Sequence, residues 1–212
     1  SLWVNVYGVS ERYLNVYGEK DLRAQMNQFF HRTYTHPVDG TTLDMKMLCN
    51  WYWYDETAIL ETGKGTKDWN FYRYAETLLS AAEAIAQSSG VNAEAAGYLA
   101  QVKARANMEG KDVSTIASEL QRLGKQAFIE ECWKERLREF PLEMKIWDDC
   151  VRTGKFPQIS ATNKGEVQFV DLIGATNGSG AKFKETDLYW PIPVNEIQRN
   201  PNLTQNEGYS AK

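Results

Sequence analysis

The sequence predicts a mainly α protein built on helical hairpins, with long irregular loops and an extended carboxy-terminal tail. Three observations predict it. Apolar residues recur at helical spacing through residues 67–153, the period that lines one face of an α-helix. Asn, Asp and Gly fall where such helices would begin and end. Outside that stretch the period is lost. Residues 1–66 are aromatic, polar and irregular with short extended runs, and residues 154–212 are rich in Gly, Asn, Ser and Pro.

The first helix is expected from an N-cap at Asp68 to about Gln87. Phe71, Ala75, Leu78, Leu79, Ala82, Ile85 and Ala86 share its inner face, and Gly90 ends it. Asn92 caps a second helix, with Ala95, Leu99, Val102 and Ala106 inward and Gly110 as its close. A third starts at Asp112 or Ser114, turns Ile116, Leu120, Leu123 and Ala127 inward, and runs unbroken to about Glu139. Pro141 suits the first turn of a fourth helix, about Leu142 to Arg152, which stops before Gly154. The first two helices make an alanine-rich hairpin, whose small side chains let the backbones approach closely. Such a tetratricopeptide-like unit needs neighbours to cover its open face, normally three units or more. This chain supplies too few, so an amino-terminal part of a longer protein is expected to be missing.

The tail cannot be one long helix. Pro191 and Pro193 fix φ, remove two amide donors and hold Trp190 and Ile192 extended, and Pro201 does the same to Asn200. Trp190, Ile192, Ile197 and Leu203 are expected to pin it to a surface, with the 154–212 segment packed on the helices.

Bulk properties exclude several functions. A chain of 212 residues with 42% apolar and 25% charged residues can fold as one domain or two small ones. A net charge of −4 without a long basic run gives nucleic acid no footprint. No apolar run is long enough to span a membrane as a helix. Cys49, Cys132 and Cys150 form no CxxC pair, and their odd number argues against a disulfide framework. His31 and His36 are the two histidines and make a poor metal pair, so neither metal nor cofactor is expected. No P-loop, GxGxxG or HExxH pattern is present.

The carboxylates invite a catalytic reading. Glu135 and Glu139 share a helix face, Asp148 and Asp149 are adjacent, and glycosidases set two carboxylates about 5–10 Å apart. The same spacing is also that of ion pairs. Glu131, Glu135, Arg138 and Glu139 are three or four apart, and Arg73, Glu76, Glu83 and Arg105 could meet them between packed helices. Charges buried there survive only when paired. The structural reading is preferred, and no enzyme is expected.

An ordered series of short motifs covers residues 68–209. It runs from Arg73-Tyr74-Ala75-Glu76 through Ala82-Glu83-Ala84 and Lys103-Ala104-Arg105-Ala106-Asn107 to Glu130-Glu131 and Lys134-Glu135-Arg136-Leu137-Arg138-Glu139. Trp147, Asp149, Arg152 and Gly154 follow, then Pro191-Ile192-Pro193, Asn195-Glu196-Ile197, Asn200-Pro201, Gln205-Asn206, Gly208 and Tyr209. Each piece is weak alone; in this order they resemble the SusD/RagB family. Asp21-Leu22-Arg23 is weakly similar to an upstream family element. Two departures stand out. Glu143-Met144-Lys145-Ile146 replaces the family's usual Glu-Gly-x-Arg, and Phe140-Pro141 stands where a continuous helix is common.

The resemblance implies a SusD-like α/α superhelix and a surface-exposed, lipid-anchored protein of the bacterial outer membrane. It implies capture of oligosaccharides, sometimes peptides, and their transfer to a SusC-like, TonB-dependent transporter. The anchor would need an amino-terminal cysteine that this chain lacks. Glycan capture implies an aromatic platform, because aromatic faces stack on sugar rings, and aromatic residues are 12% of the chain, concentrated early. Trp51, Tyr52, Trp53 and Tyr54 are the leading candidates. An extended run would set Trp51 and Trp53 on one face and Tyr52 and Tyr54 on the other. Trp3, Tyr7 and Asn50 are further candidates. Core packing is the alternative for all of them. The rival functions are a tetratricopeptide-type scaffold for a protein or peptide partner and, more remotely, a carbohydrate-active hydrolase.

Overall fold

The computed structural model describes residues 8–210. They fall into two compact units, residues 8–146 with 159–168 and residues 147–158 with 169–210.

The first unit opens with two 3-10 turns, Glu11–Val16 and Leu22–Ala24, and an antiparallel ribbon of β1 (Phe30–Thr35) and β2 (Thr42–Asn50). A register shift between His31 and Thr33 lets His31 pair with Cys49 while Thr33 pairs with Asp44. The helices follow as α1 (Tyr74–Ser89), α2 (Ala93–Ala104), α3 (Val113–Leu120) and α4 (Lys125–Glu139). α1 packs on α2 and α4, and α2 packs on α3. The core between them holds Leu79, Leu99 and Phe128 with Ala82, Ala86, Ala95, Ala96 and Ala100, all fully buried. Alanine brings the backbones together there, and Phe128 fills the space that remains. Asn92 Oδ1 accepts from the Ala95 amide at 2.9 Å, and Asp112 Oδ1 accepts from Thr115 at 2.7 Å. Both N-caps stand where the sequence sets them.

The boundaries differ from expectation in four places. α1 starts at Tyr74, because Arg73 is extended (φ −120°, ψ 151°) with its guanidinium engaged by Glu139 and Glu143. Asp68 is no cap, and Phe71 stands in solvent. α2 ends at Ala104. Beyond it, the Ala106 carbonyl accepts from Leu22 and the Met108 amide donates to Lys20, so the chain there bonds to residues 20–22 and does not coil on to Gly110. The expected third helix is two helices. Gly124 is extended (φ −65°, ψ 156°), which resets the helical phase, buries Phe128 and leaves Ala127 exposed. Pro141 begins a tight turn, with Leu142 and Met144 both at φ 60°. Left-handed residues cannot propagate a right-handed helix, so the next helix, α5 (Ile146–Thr153), starts late.

Beyond α5, the second unit carries most of β3 (Lys155–Ile159) and β4 (Val167–Asp171), a 3-10 turn at Glu185–Leu188 and the short helix α6 (Val194–Arg199). Trp147 and Phe156 gather on Phe183 with ring centroids at 5.6 and 5.2 Å. The tail is held by polar side chains. Gln205 brackets Ile192, accepting from its amide at 2.8 Å and donating to its carbonyl at 2.9 Å. Asn206 donates to the Trp190 carbonyl at 2.7 Å, and the Tyr209 hydroxyl to the carbonyls of Thr186 and Tyr189. Trp190 itself is 84% exposed and Leu203 is also exposed, so neither is an apolar pin. Two prolines strip this segment of amide donors, so side-chain amides and a phenol supply the bonds that a helix would have supplied.

Candidate functional site

Two side-chain systems in the first unit stand out, an aromatic strip and a charged seam. The strip starts where β2 ends. Asn50 Oδ1 accepts from the Tyr52 amide at 2.9 Å, and its Nδ2 donates to the Pro141 carbonyl at 2.7 Å. That cap turns Trp51–Trp53 into a 3-10 turn, in which residues three apart eclipse. Trp51 therefore stacks on Tyr54, with centroids 4.4 Å apart and planes within 10°. His31 stacks on Trp51 at 3.7 Å and 12°. Two parallel rings at those distances must take opposite faces, so Trp51 is sandwiched. Tyr34, Met45 and Cys49 form the apolar cluster beneath. The expected alternation of Trp51 and Trp53 against Tyr52 and Tyr54 is thus overturned. The turn pairs Trp51 with Tyr54, and Tyr52 with Trp53 at 4.9 Å and 90°.

Trp53 faces outward and opens a line of solvent-facing rings. Trp69 stands 5.8 Å away and perpendicular, Phe71 lies 6.2 Å from Trp69, and Tyr72 lies 5.9 Å from Phe71. Trp69 is 50% exposed, Phe71 72% and Tyr72 74%. Cations flank the line. Lys67 Nζ lies 5.2 Å from the Tyr52 ring, Arg73 covers Tyr52 at 5.6 Å, and Lys145 covers Tyr72 at 4.6 Å. An exposed apolar strip with a polar border is the usual form of a binding surface. Sequence reasoning missed Trp69 and Tyr72 and placed Phe71 in the core. The available signal was Trp69-Asn70-Phe71, whose alternation is extended in character. Trp3 and Tyr7 lie outside the described residues.

The charged seam runs along α4. Arg23 Nη1 reaches Glu135 at 2.8 Å and Glu139 at 3.0 Å, while Nη2 holds Asp21 at 2.7 Å. Arg73 bonds Glu139 at 2.9 Å and Glu143 at 2.7 Å, and Arg105 bonds Glu139 at 2.6 Å. Arg138 bonds Glu131 at 2.9 Å and Glu135 at 3.2 Å, and Lys103 also reaches Glu131. Glu131, Glu135, Glu139 and Glu143 thus each have at least one cation. Burial opposes ionisation of Glu135, but the charges of Arg23, Lys103 and Arg138 overcome it and hold the carboxyl down at about 2. Glu131 is lowered in the same way against its own burial, by Lys103 and Arg138. A glycosidase pair needs one carboxyl kept protonated near neutral pH, and Glu135, held ionised, is unsuited to that role. The cleft of about 310 Å³ beside Glu131 and Glu135 is lined by these same paired charges.

The other motif residues lie nearby or in the second unit. Glu76 pairs with Arg136 at 3.3 Å and Lys145 at 3.0 Å, and buried Glu83 accepts from Gln87 at 3.0 Å. Arg152 donates to Asp149 at 2.8 Å, and Asn200 accepts from the Asn202 amide at 3.1 Å. Among the described residues no group of His, Cys, Asp and Glu could hold a metal ion, and no helix is long and apolar enough to cross a membrane.

Fold and seam define a class, an α-helical hairpin protein whose motif-bearing carboxylates are locked in ion pairs beside an open aromatic surface. Comparison with known proteins supplies the family. The SusD family model matches residues 12–209. The starch-binding protein SusD of Bacteroides thetaiotaomicron is 36% identical over 138 residues, 65% of this chain and 21% of that protein. A crystal structure of a SusD superfamily protein from Parabacteroides distasonis matches with a TM-score of 0.78 and 31% identity, over 94% of this chain and 41% of that one. The chain belongs to the SusD family. It spans about a fifth of the starch-binding relative and about two fifths of the solved structure. The family resemblance and the mainly α, SusD-like fold read from the sequence are both borne out.

Proposed function

We propose that this chain is part of a cell-surface glycan-binding protein that captures oligosaccharides and passes them to a TonB-dependent outer-membrane transporter. The observation that carries the reading is the line of open rings from Trp53 through Trp69 to Phe71 and Tyr72, on a chain related to a starch-binding protein. Aromatic rings offer sugars a large apolar face with little side-chain entropy to lose, each worth about 1 kcal/mol beyond area burial. Capture is therefore weak per contact and built from several contacts. Tyr52 and Trp53 are the ligand-facing members of the 51–54 turn, and Trp51 and Tyr54 are their base. The ligand-facing region comprises the described part of residues 1–66, continued to Tyr74. Capture and release involve no covalent step. The whole protein sits at the outer-membrane surface through a lipid anchor, beside its transporter.

Isothermal titration against maltoheptaose, other oligosaccharides and peptides tests this. Saturable binding of one glycan class, weakened about tenfold by Trp53→Ala or Trp69→Ala, is expected. Heat from peptides alone would replace the glycan with a peptide. Glycan binding untouched by both substitutions would remove the strip from the site.

A further inference from the structure

We propose that Asp55 is the positioning residue of the aromatic strip, fastening the segment that carries Trp69 to the turn that carries Trp53. The inference rests on the glycan-capture reading and adds what fixes the shape of that surface.

Residues 61–70 are exposed without exception. Apart from half of the Trp69 ring, no apolar burial holds them, so hydrogen bonds must, and a segment lacking both belongs to the mobile end of a protein. One carboxylate supplies two of these bonds, both to backbone amides late in the segment. Asp55 Oδ1 accepts from the Ala58 amide at 3.2 Å. Its Oδ2 accepts from Thr66 at 2.8 Å and Lys67 at 3.1 Å, closing the 55–67 loop on itself. Hydrogen bonds from the amides of Thr66 and Ala58 hold the Asp55 carboxyl below its ordinary range, so it is the ionised form, with two free acceptor oxygens, that makes the closure.

The loop contains a π-helical turn, Ala58–Thr62, ended by Gly63 at φ 65°. Such turns are rare and concentrate at functional sites. Lys67 then reaches back, donating from Nζ to the Tyr52 carbonyl and, at 3.4 Å, to that of Tyr54. Asn70 donates to the Tyr52 hydroxyl at 3.0 Å. The Asp55 carboxylate holds the backbone at 66–67, and the Lys67 side chain holds the backbone at 52–54. Together they set the perpendicular approach of Trp69 to Trp53 at 5.8 Å. Neither residue belongs to the α1–α4 core, so the fastening can fail while the helices stand.

Near-UV circular dichroism of the 212-residue chain reads the Trp53–Trp69 pair, and Trp69→Phe identifies its signal. Titration with maltoheptaose reads capture. Asp55→Ala is expected to abolish the pair signal and weaken maltoheptaose binding about tenfold, with the far-UV spectrum and the urea midpoint unchanged. Asp55→Asn offers one acceptor oxygen in place of two and should fall between wild type and Asp55→Ala. A pair signal that survives Asp55→Ala overturns the inference, as does a lost signal with unchanged affinity. A wild-type chain that binds no maltoheptaose sinks the capture of that glycan instead, and the pair signal still decides the role of Asp55.

Discussion

The charged seam on α4 and the aromatic strip from Trp53 to Tyr72 meet at Arg73, whose guanidinium bonds Glu139 and Glu143 and covers the Tyr52 ring. In the seam, strong groups face one another. Glu135 and Glu139 are almost wholly buried and meet their cations inside the protein. In the strip, weakly polar groups face water, and three of its rings are at least half exposed. Charge is costly to bury and apolar surface is costly to expose, so each region violates the simple partition of residues. The seam resolves its violation internally through ion pairs. The strip leaves its own open, and an open violation is the mark of a surface that meets a ligand. Glu135 and Glu139, which look catalytic in the sequence, are therefore among the least available groups in the unit.

The sharpest way to break this contrast is to unpair the seam. Arg23→Ala leaves Glu135 and Glu139 without their shared partner, and about 3 kcal/mol of stability should be lost, read as a lower urea midpoint. Replacing Arg23 and Glu135 together with Met and Leu should cost clearly less, because no buried charge is left alone. A double variant as unstable as Arg23→Ala would mean that the pair stabilises the fold outright. The acid limb follows from the same contacts. Glu135 has a folded value of about 2 against an ordinary 4.5. Its contribution is therefore complete above the ordinary value and is lost as pH falls towards the folded one. Acid unfolding monitored by far-UV circular dichroism should begin at higher pH in Arg23→Ala, and an unchanged acid limb would contradict the pairing.

Trp51 and Trp53 are neighbours in sequence and opposites in role. Trp51→Ala removes a ring stacked on both faces and should cost about 2 kcal/mol, somewhat below the range for a fully buried Trp. Trp53→Ala should cost less than half as much stability and most of the glycan affinity. Trp51→Phe, which keeps a ring in the sandwich, should leave affinity unchanged. Loss of affinity on Trp51→Phe with stability intact would move the binding surface onto Trp51 and undo the assignment of this turn.

The helices were legible because α1 to α4 carry strong periodicity and two Asx caps, signals that act over a few residues. The break at Gly124 was not, because an apolar period continues through Leu120, Leu123 and Ala127 while one extended residue resets its phase. The pairs of Arg138 were legible from spacing and those of Arg73 and Arg105 from the packing of helices, but the central cation was not. Arg23 lies in a 3-10 turn more than a hundred residues before its carboxylates, and no local pattern encodes so distant a partner. The strip was half legible. The WYWY run announced aromatic surface, but its faces depend on the Asn50 cap, and Trp69, Phe71 and Tyr72 come from a later stretch that Asp55 and Lys67 bond back to the turn.

The smallest expected effect lies where seam and strip join. Met144 holds the left-handed backbone that glycine adopts most readily, with φ at 60°. That conformation costs a residue with a Cβ about 1–2 kcal/mol. The side chain is 72% exposed and recovers little by packing. Its neighbours explain why the turn persists. Glu143 holds Arg73, and Lys145 donates to the Phe71 carbonyl at 2.8 Å, so the seam and the strip both depend on the direction the chain takes here. Met144→Gly should relieve the strain and lose part of the gain to the greater freedom of glycine in the unfolded chain, for a net stabilisation of about 0.5–1 kcal/mol. In a thermal melt that is about 2 °C upward. Leu142→Gly is the control. It shares the φ of 60° but is half-buried, so lost packing should cancel the relief. A lower melting point for Met144→Gly would mean that the methionine side chain itself holds the turn that aims Glu143 and Lys145.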